Sequence, residues 1–242
     1  MTTPQELESK SPLTYKYTIA LLEGGKKKEF SVSLDRQTLQ LTGMDPKATP
    51  AWTDLSNRKC SNCPLKEAES PKCPAAVAVA DAVETFKASI SYDKVHVVVE
   101  TEQRDYEKEV PLQKALSGLV GLLMVSSGCP IMKKLRPLIR YHLPFANLHE
   151  TQFRIISMYL MAQYLASRKG KTPDWALKGL AQIYQDIAEI NQSFISRLLT
   201  VVKGDAGPNA MVILSAFTDA ITFTIDGKML GELEAIFGNH LE

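Results

Sequence analysis

Residues 94–125 read KVHVVVETEQRDYEKEVPLQKALSGLVGLLMV, and the fold class turns on a change of rhythm within them. Val95, Val97 and Val99 alternate with His96, Val98 and Glu100. A period of two predicts a strand with one buried face. Tyr106 to Val110 is a second extended run, and it pairs back on the first across Gln103-Arg104-Asp105. At Pro111 the rhythm becomes helical. Proline suits the first position of a helix, where its missing N–H has no partner to lose. Ala115 to Val125 is the longest apolar stretch of the chain, well short of the roughly 20 residues that span a bilayer. It predicts a buried helix from Pro111 to about Val125, stopped by Ser126-Ser127-Gly128.

Upstream, Tyr15, Tyr17, Ile19 and Leu21 alternate, and so do Phe30, Val32 and Leu34. Gly24-Gly25 and the lysines 26–28 lie between, so the two runs predict a β-hairpin with the lysines in a solvated turn. Leu39 and Leu41 predict a short third strand. Asp45-Pro46, Thr49-Pro50 and Ser56-Asn57 make 43–57 a loop. Pro74 opens an alanine-rich helix to about Lys87.

Downstream the pattern is helical throughout. A basic helix is expected over 131–140, with Pro137 inside it, and another from His149 or Glu150 to Arg168. Thr172-Pro173-Asp174 has a capping hydroxyl, a proline and an acid, and predicts a helix running to Lys203. Leu177, Leu180, Tyr184, Ile187, Asn191, Phe194, Leu198 and Val201 form its core-facing stripe. Pro208 to Thr222 and Met229 to Phe237 complete the set. The expected class is α+β: an N-terminal antiparallel sheet with a cysteine-rich loop and one helix, then an all-helical bundle. The divisions are a flexible tail (1–12), a β-rich subdomain with the cysteine loop (13–110) and a helical subdomain (111–242).

The chain has four cysteines: Cys60, Cys63, Cys73 and Cys129. Cys60-Ser-Asn-Cys63 turns two thiols toward one point, and a third and fourth complete a tetrahedron. Proline follows three of them, at Pro64, Pro74 and Pro130. If each proline opens a helix, Cys63, Cys73 and Cys129 sit at helix starts, where free N–H groups and the helix dipole favour a thiolate and lower its pKa. Arg58, Lys59, Lys66, Lys72, Lys133 and Lys134 add positive charge nearby. The spacing is neither the paired C-x2-C of a zinc knuckle nor a ferredoxin run. It favours an iron–sulfur cluster of the 4Fe-4S type, with structural zinc as the alternative and unliganded buried thiols third. A ligand shared by all four would staple the sheet half to the helical half.

The chain has 242 residues, 45% of them hydrophobic, which is enough for a sizeable core. With 28 basic against 27 acidic residues the net charge is +1, which gives no electrostatic case for nucleic acid. The start, Met1-Thr-Thr-Pro-Gln-Glu, carries no signal-peptide pattern, so a soluble cytoplasmic protein with reduced thiols is expected. No membrane partner is expected; a protein partner is.

Other constellations carry less. His142, His149 and Glu150 could ligate iron or zinc, but they flank Pro144 and read better as packing and helix capping. The acid pairs Asp81/Glu84 and Asp186/Glu189 read as solvent-facing. A thiol catalyst at Cys129 is a minor reading. The functional expectation is a cluster protein for electron transfer or redox sensing, with a zinc-stabilised adaptor as the alternative; whether it is an enzyme stays open.

Overall fold

The computed structural model describes residues 11–45, 49–225 and 231–240. Four antiparallel strands form one sheet: β1 (Leu13–Leu21), β2 (Lys27–Leu34), β3 (Lys94–Glu100) and β4 (Asp105–Pro111), in the order β2-β1-β3-β4. The α+β class is as expected. β1 is central and Tyr17 stands opposite Phe30 on one side and Val99 on the other. The period of two puts Tyr15, Tyr17, Ile19, Val32, Val95 and Val97 on one buried face. β4 is an edge strand, and its Glu107, Lys108 and Glu109 are exposed charges that discourage further pairing.

The hairpin differs from expectation in one respect. Gly24 and Gly25 make the turn with positive φ, at 83° and 65°, but Lys27 and Lys28 already belong to β2. Lys28 reaches Asp81 at 3.3 Å and lies over the Phe30 ring. The expected third strand is a single bridge, Leu34 to Leu41. Leu39, at φ 55°, breaks the extended run, and the Leu41 N–H instead donates to the Ser126 carbonyl. Of the expected tail, residues 1–10 lie outside the described residues; the carbonyl of Ser11 accepts from Arg36 Nε at 2.6 Å.

Helix α1 (Pro74–Phe86) carries Cys73 at its N-cap and Pro74 at its first position. Helix α2 (Leu112–Ser126) is buried almost all round, and Gly128 (φ 95°) follows its end. It packs on α1 and against β3 and β4. The basic segment is broken as its proline requires. A 3-10 turn (Met132–Leu135) precedes the short α3 (Pro137–Arg140). Pro137 has no N–H to give to Lys133, and its ring crowds that carbonyl. Helix α4 (Leu148–Ser167) starts on a capping box between Asn147 and Glu150.

Helix α5 (Lys178–Leu198) is shorter at both ends than its pattern suggested. Leu177 is left-handed at φ 59°, so the helix begins after it and not at Thr172-Pro173-Asp174. Asp174 still serves the start: its carboxylate accepts the Gly179 amide at 2.7 Å and the Tyr159 hydroxyl at 2.9 Å. Leu180, Tyr184, Ile187, Asn191, Phe194 and Leu198 are buried along one stripe. Helix α6 (Ala206–Phe223) packs against α5 and α2. Helix α7 (Gly231–Ile236) is the last, and the expected start at Met229 lies outside the described residues. No described helix is long and apolar enough to cross a membrane. One apolar cluster runs from the sheet through α1, α2, α5 and α6.

The far end of α5 is set by a close backbone approach. The amide of Gly204 donates to the Lys87 carbonyl at 2.8 Å. A Cβ on Gly204 would stand 2.2 Å from the Ser89 carbonyl oxygen, in the backbone that follows α1. Gly204→Ala therefore forces two main-chain segments apart. The expected loss is about 2 kcal/mol, read by urea unfolding; an unchanged midpoint would show that the contact yields freely.

Candidate metal centre

The cysteine loop is folded tightly. A 3-10 turn at Ala51–Thr53 buries Trp52 and Thr53, and Leu55 is buried beside them. The two arms of the loop then meet: Asp54 bridges Lys72, the Leu55 amide donates to Pro71, and the Cys73 amide donates to Thr53. Within it, the Cys63 amide donates to the Cys60 carbonyl at 3.1 Å, the tight turn that C-x2-C requires. No helix begins at Pro64, which corrects one of the three expected helix starts. None begins at Pro130 either, which lies in a turn, so only Cys73 stands at a helix start. Cys73 caps α1, and Cys129 lies three residues before the 3-10 turn, where the nearby amides of Ile131 and Met132 favour its thiolate.

The turn is docked on α5. Ser61 Oγ donates to Glu189 at 2.8 Å, Asn62 Nδ2 donates to the Asp186 carbonyl at 2.9 Å, and the Ser193 hydroxyl hydrogen-bonds to the Cys60 sulfur. Arg197 lies one further turn along and is 2% exposed. Its Nη1 donates to the carbonyls of Trp52 (2.8 Å) and Asp54 (2.7 Å). Asp186, Glu189, Ser193 and Arg197 thus form a polar stripe at helical spacing against the loop. Sequence reasoning missed it. The acid pair read as solvent-facing, and nothing marked Arg197. The available signal was the spacing of three, four and four residues beside the apolar stripe.

All four thiols, from Cys60 to Cys129, occupy this region, and none is in a disulfide. Cys60 feels the charge of Cys73, Cys63 and Cys129, and Cys129 that of Cys73 and Cys63. Among the described residues no three His, Cys, Asp or Glu side chains stand at the spacing of a metal site. Burial pushes the Cys60 thiol up to about 11 and also raises Cys129, despite the hydrogen bonds that oppose it. At Cys129 desolvation outweighs the lowering by the nearby amides. A thiol held in its neutral form is a poor nucleophile, which weakens the catalyst reading of Cys129.

The positive charge comes from an unexpected residue. Lys72 is paired with Asp54 at 2.6 Å and Lys134 with Asp186 at 3.4 Å. Arg197 has no carboxylate within ion-pair distance among the described residues, and desolvation lowers its pKa while the nearby thiols and Asp54 raise it. A buried cation of this kind calls for an anion. Four ionised thiolates around a metal supply one: with Zn²⁺ or a 2+ four-iron cluster the net charge is −2. Thiols are the donor type such a group takes, but among the described residues no three of them stand at the spacing of a metal site.

The other flagged residues have packing roles. His142 hydrogen-bonds to the Tyr17 hydroxyl at 2.5 Å and meets Tyr15 edge-on. Glu150 belongs to the capping box, and His149 is exposed. Burial, reinforced by Arg154, depresses the pKa of His142 to about 3. The unfolded chain, with an ordinary histidine near 6.5, then binds the proton better. Stability is full above that pH and falls as the pH drops toward 3, by about 1.4 kcal/mol per unit. Urea unfolding at pH 7 and pH 5 should differ by about 2 kcal/mol from this residue, and His142→Gln should flatten the difference. An equal acid loss in both proteins would remove His142 as its source.

No curated protein and no solved structure matches this chain. One family model does, and it spans residues 13–238, from the first strand to the last described turn. The chain, sheet, cysteine loop and helices together, therefore belongs to the family described as the domain of unknown function DUF6901.

Proposed function

We propose that Cys60, Cys63, Cys73 and Cys129 hold an iron–sulfur cluster used for electron transfer or redox sensing. The observation that carries this reading is Arg197, buried beside Cys60, Cys63 and Cys73 with no carboxylate partner among the described residues. When bound, the cluster supplies a one-electron couple; the chain supplies the ligands and tunes them. Arg197 offsets part of the negative charge, and the amides of Ile131 and Met132 and the Ser193 hydroxyl would stabilise electron density on sulfur. Four protein ligands leave no open coordination position, which suits electron exchange better than substrate chemistry.

The partner in this proposal is a protein. The four cysteines are only half-buried, so another molecule can come close. Phe153, Met161, Tyr164 and Leu165 expose apolar surface on α4. The compartment we propose is the cytoplasm, where thiols stay reduced. Structural zinc is the second reading. It is favoured by the way Ser61, Asn62 and Arg197 tie the loop to α5, the place where a metal staple would act.

Purification without oxygen, followed by an absorption spectrum and assays of iron, sulfide and zinc, separates the readings. Broad visible absorption with matched iron and sulfide supports the cluster. A colourless protein with one zinc per chain supports the staple. Four freely titrating thiols with no metal would overturn both.

A further inference from the structure

The helical half holds a second feature that the cysteines do not explain. A cavity of about 200 Å³ lies between α2, α4, α5 and α6. Gly121 and Leu122, Ile155, Ile187, Leu214 and Ile221 give it an apolar lining. Gly118 and Gly121 of α2 line it, and at Gly121 the absent side chain lets Leu214 approach closely. An engineered apolar cavity of about 150 Å³ holds benzene, so this one takes a body on the order of ten heavy atoms.

The lining also carries polar side chains, of which Tyr184 and Arg154 lack a protein acceptor or carboxylate among the described residues. Tyr184 lines the cavity, is 4% exposed, and its hydroxyl makes no hydrogen bond among the described residues. Its oxygen keeps some open surface, so the hydroxyl can donate to an acceptor that enters the cavity. Arg154 also lines the cavity and stands close enough for its charge to act on Tyr184. Its Nη2 donates to the carbonyls of Leu138 (3.1 Å) and Tyr141 (2.7 Å), and no described carboxylate lies within ion-pair distance. Asn191 and Thr218 satisfy each other, and His142 is held by Tyr17. A hydroxyl without a protein acceptor and a cation without a carboxylate share one largely apolar space. Lys114, Phe145, Ala146 and Thr151 are lining residues that remain partly exposed, and they mark the way in.

We propose that this cavity binds a small amphipathic carboxylate, with its apolar body among α2, α5 and α6 and its head at Tyr184 and Arg154. The site is independent of any metal at the cysteines. Arginine suits a carboxylate because its planar fork can offer two N–H groups at once. The apolar lining supplies affinity, and the two polar groups fix orientation.

Titration calorimetry of the full chain with sodium octanoate and with 1-octanol tests this. Octanoate should bind, and the alcohol roughly tenfold more weakly, because it lacks the charge. Tyr184→Phe, which removes one oxygen, should weaken octanoate roughly fivefold to tenfold. Arg154→Gln should bring octanoate and octanol to similar affinity. Val125→Phe, which adds a ring to the cavity lining, should abolish both. Should that variant fail to fold, Tyr184→Phe answers the same question. No binding of octanoate at about millimolar concentration overturns the proposal. So does equal binding of the two probes by the unaltered protein, or octanoate binding that Tyr184→Phe leaves unchanged.

Discussion

Arg197→Met melts roughly 6–12 °C below the unaltered protein. The substitution keeps most of the stem and removes the guanidinium. Two loop carbonyls, those of Trp52 and Asp54, then lose their charged donor and keep only their hydrogen bonds from Asn57, its Nδ2 to Trp52 and its amide to Asp54. A hydrogen bond from a charged group contributes about 1.5–3 kcal/mol, so the loss of two gives a total near 3 kcal/mol. The carbonyls belong to the turn that closes the cysteine loop, so the damage should be local first: amides of 51–57 and 71–73 exchange before those of β1 and β3. Arg197→Lys keeps the charge but reaches only one carbonyl, and should fall between the two. Metal content separates the two roles of this residue. If Arg197 offsets an anionic centre, the methionine variant should hold less than half the metal of the lysine variant. Equal metal in both would leave Arg197 a purely structural fastener. A melting temperature within a degree of the original would remove it from that role as well.

Cys129→Ser is the second large effect. It is nearly isosteric, so packing alone should change little. If the thiols share one ligand, losing the only one outside the loop releases that ligand from the loop's other side. Metal per chain should fall close to zero, and the segment from residue 49 to 73 should open. Arg58, Lys59, Lys66 and Lys72 are trypsin sites within it, so cleavage there should speed up by roughly tenfold or more. Cleavage elsewhere should not change, because the sheet and α2 do not depend on the centre. Full metal content in this variant would mean that Cys129 is a buried thiol and the centre, if any, has three cysteines. Zinc and a cluster predict the same proteolysis; the spectrum and the iron assay tell them apart.

The helical end of the molecule shows where sequence patterns mislead. Asp174 reads as an acid in the first turn of a helix, and it does bind an amide of that helix. The helix nevertheless starts at Lys178, because Leu177 turns left-handed and the carboxylate reaches across the break. The same holds for Gly204. It reads as a helix stop, but its missing side chain is needed for backbone contact with Ala88 and Ser89. In both cases the residue was legible and its partner was not.

The sequence by itself determined the strands and most of the helices. Alternation at Tyr15 to Leu21 and Val95 to Val99, and the stripe on α5, are local periodicities, and burial of one face follows from them directly. It also determined the Cys60–Cys63 turn and the placing of Cys73 before α1, because three-residue spacing and a following proline act over a few bonds. Tertiary structure alone decided the rest. Arg197 near the end of an amphipathic helix reads as a solvated charge until the loop folds over it. The cavity depends on how α2, α4, α5 and α6 come together in space. Desolvation, which raises Cys60 and depresses His142, is a property of what surrounds a group in space. Periodicity encodes which face turns inward; it carries no record of what that face will meet.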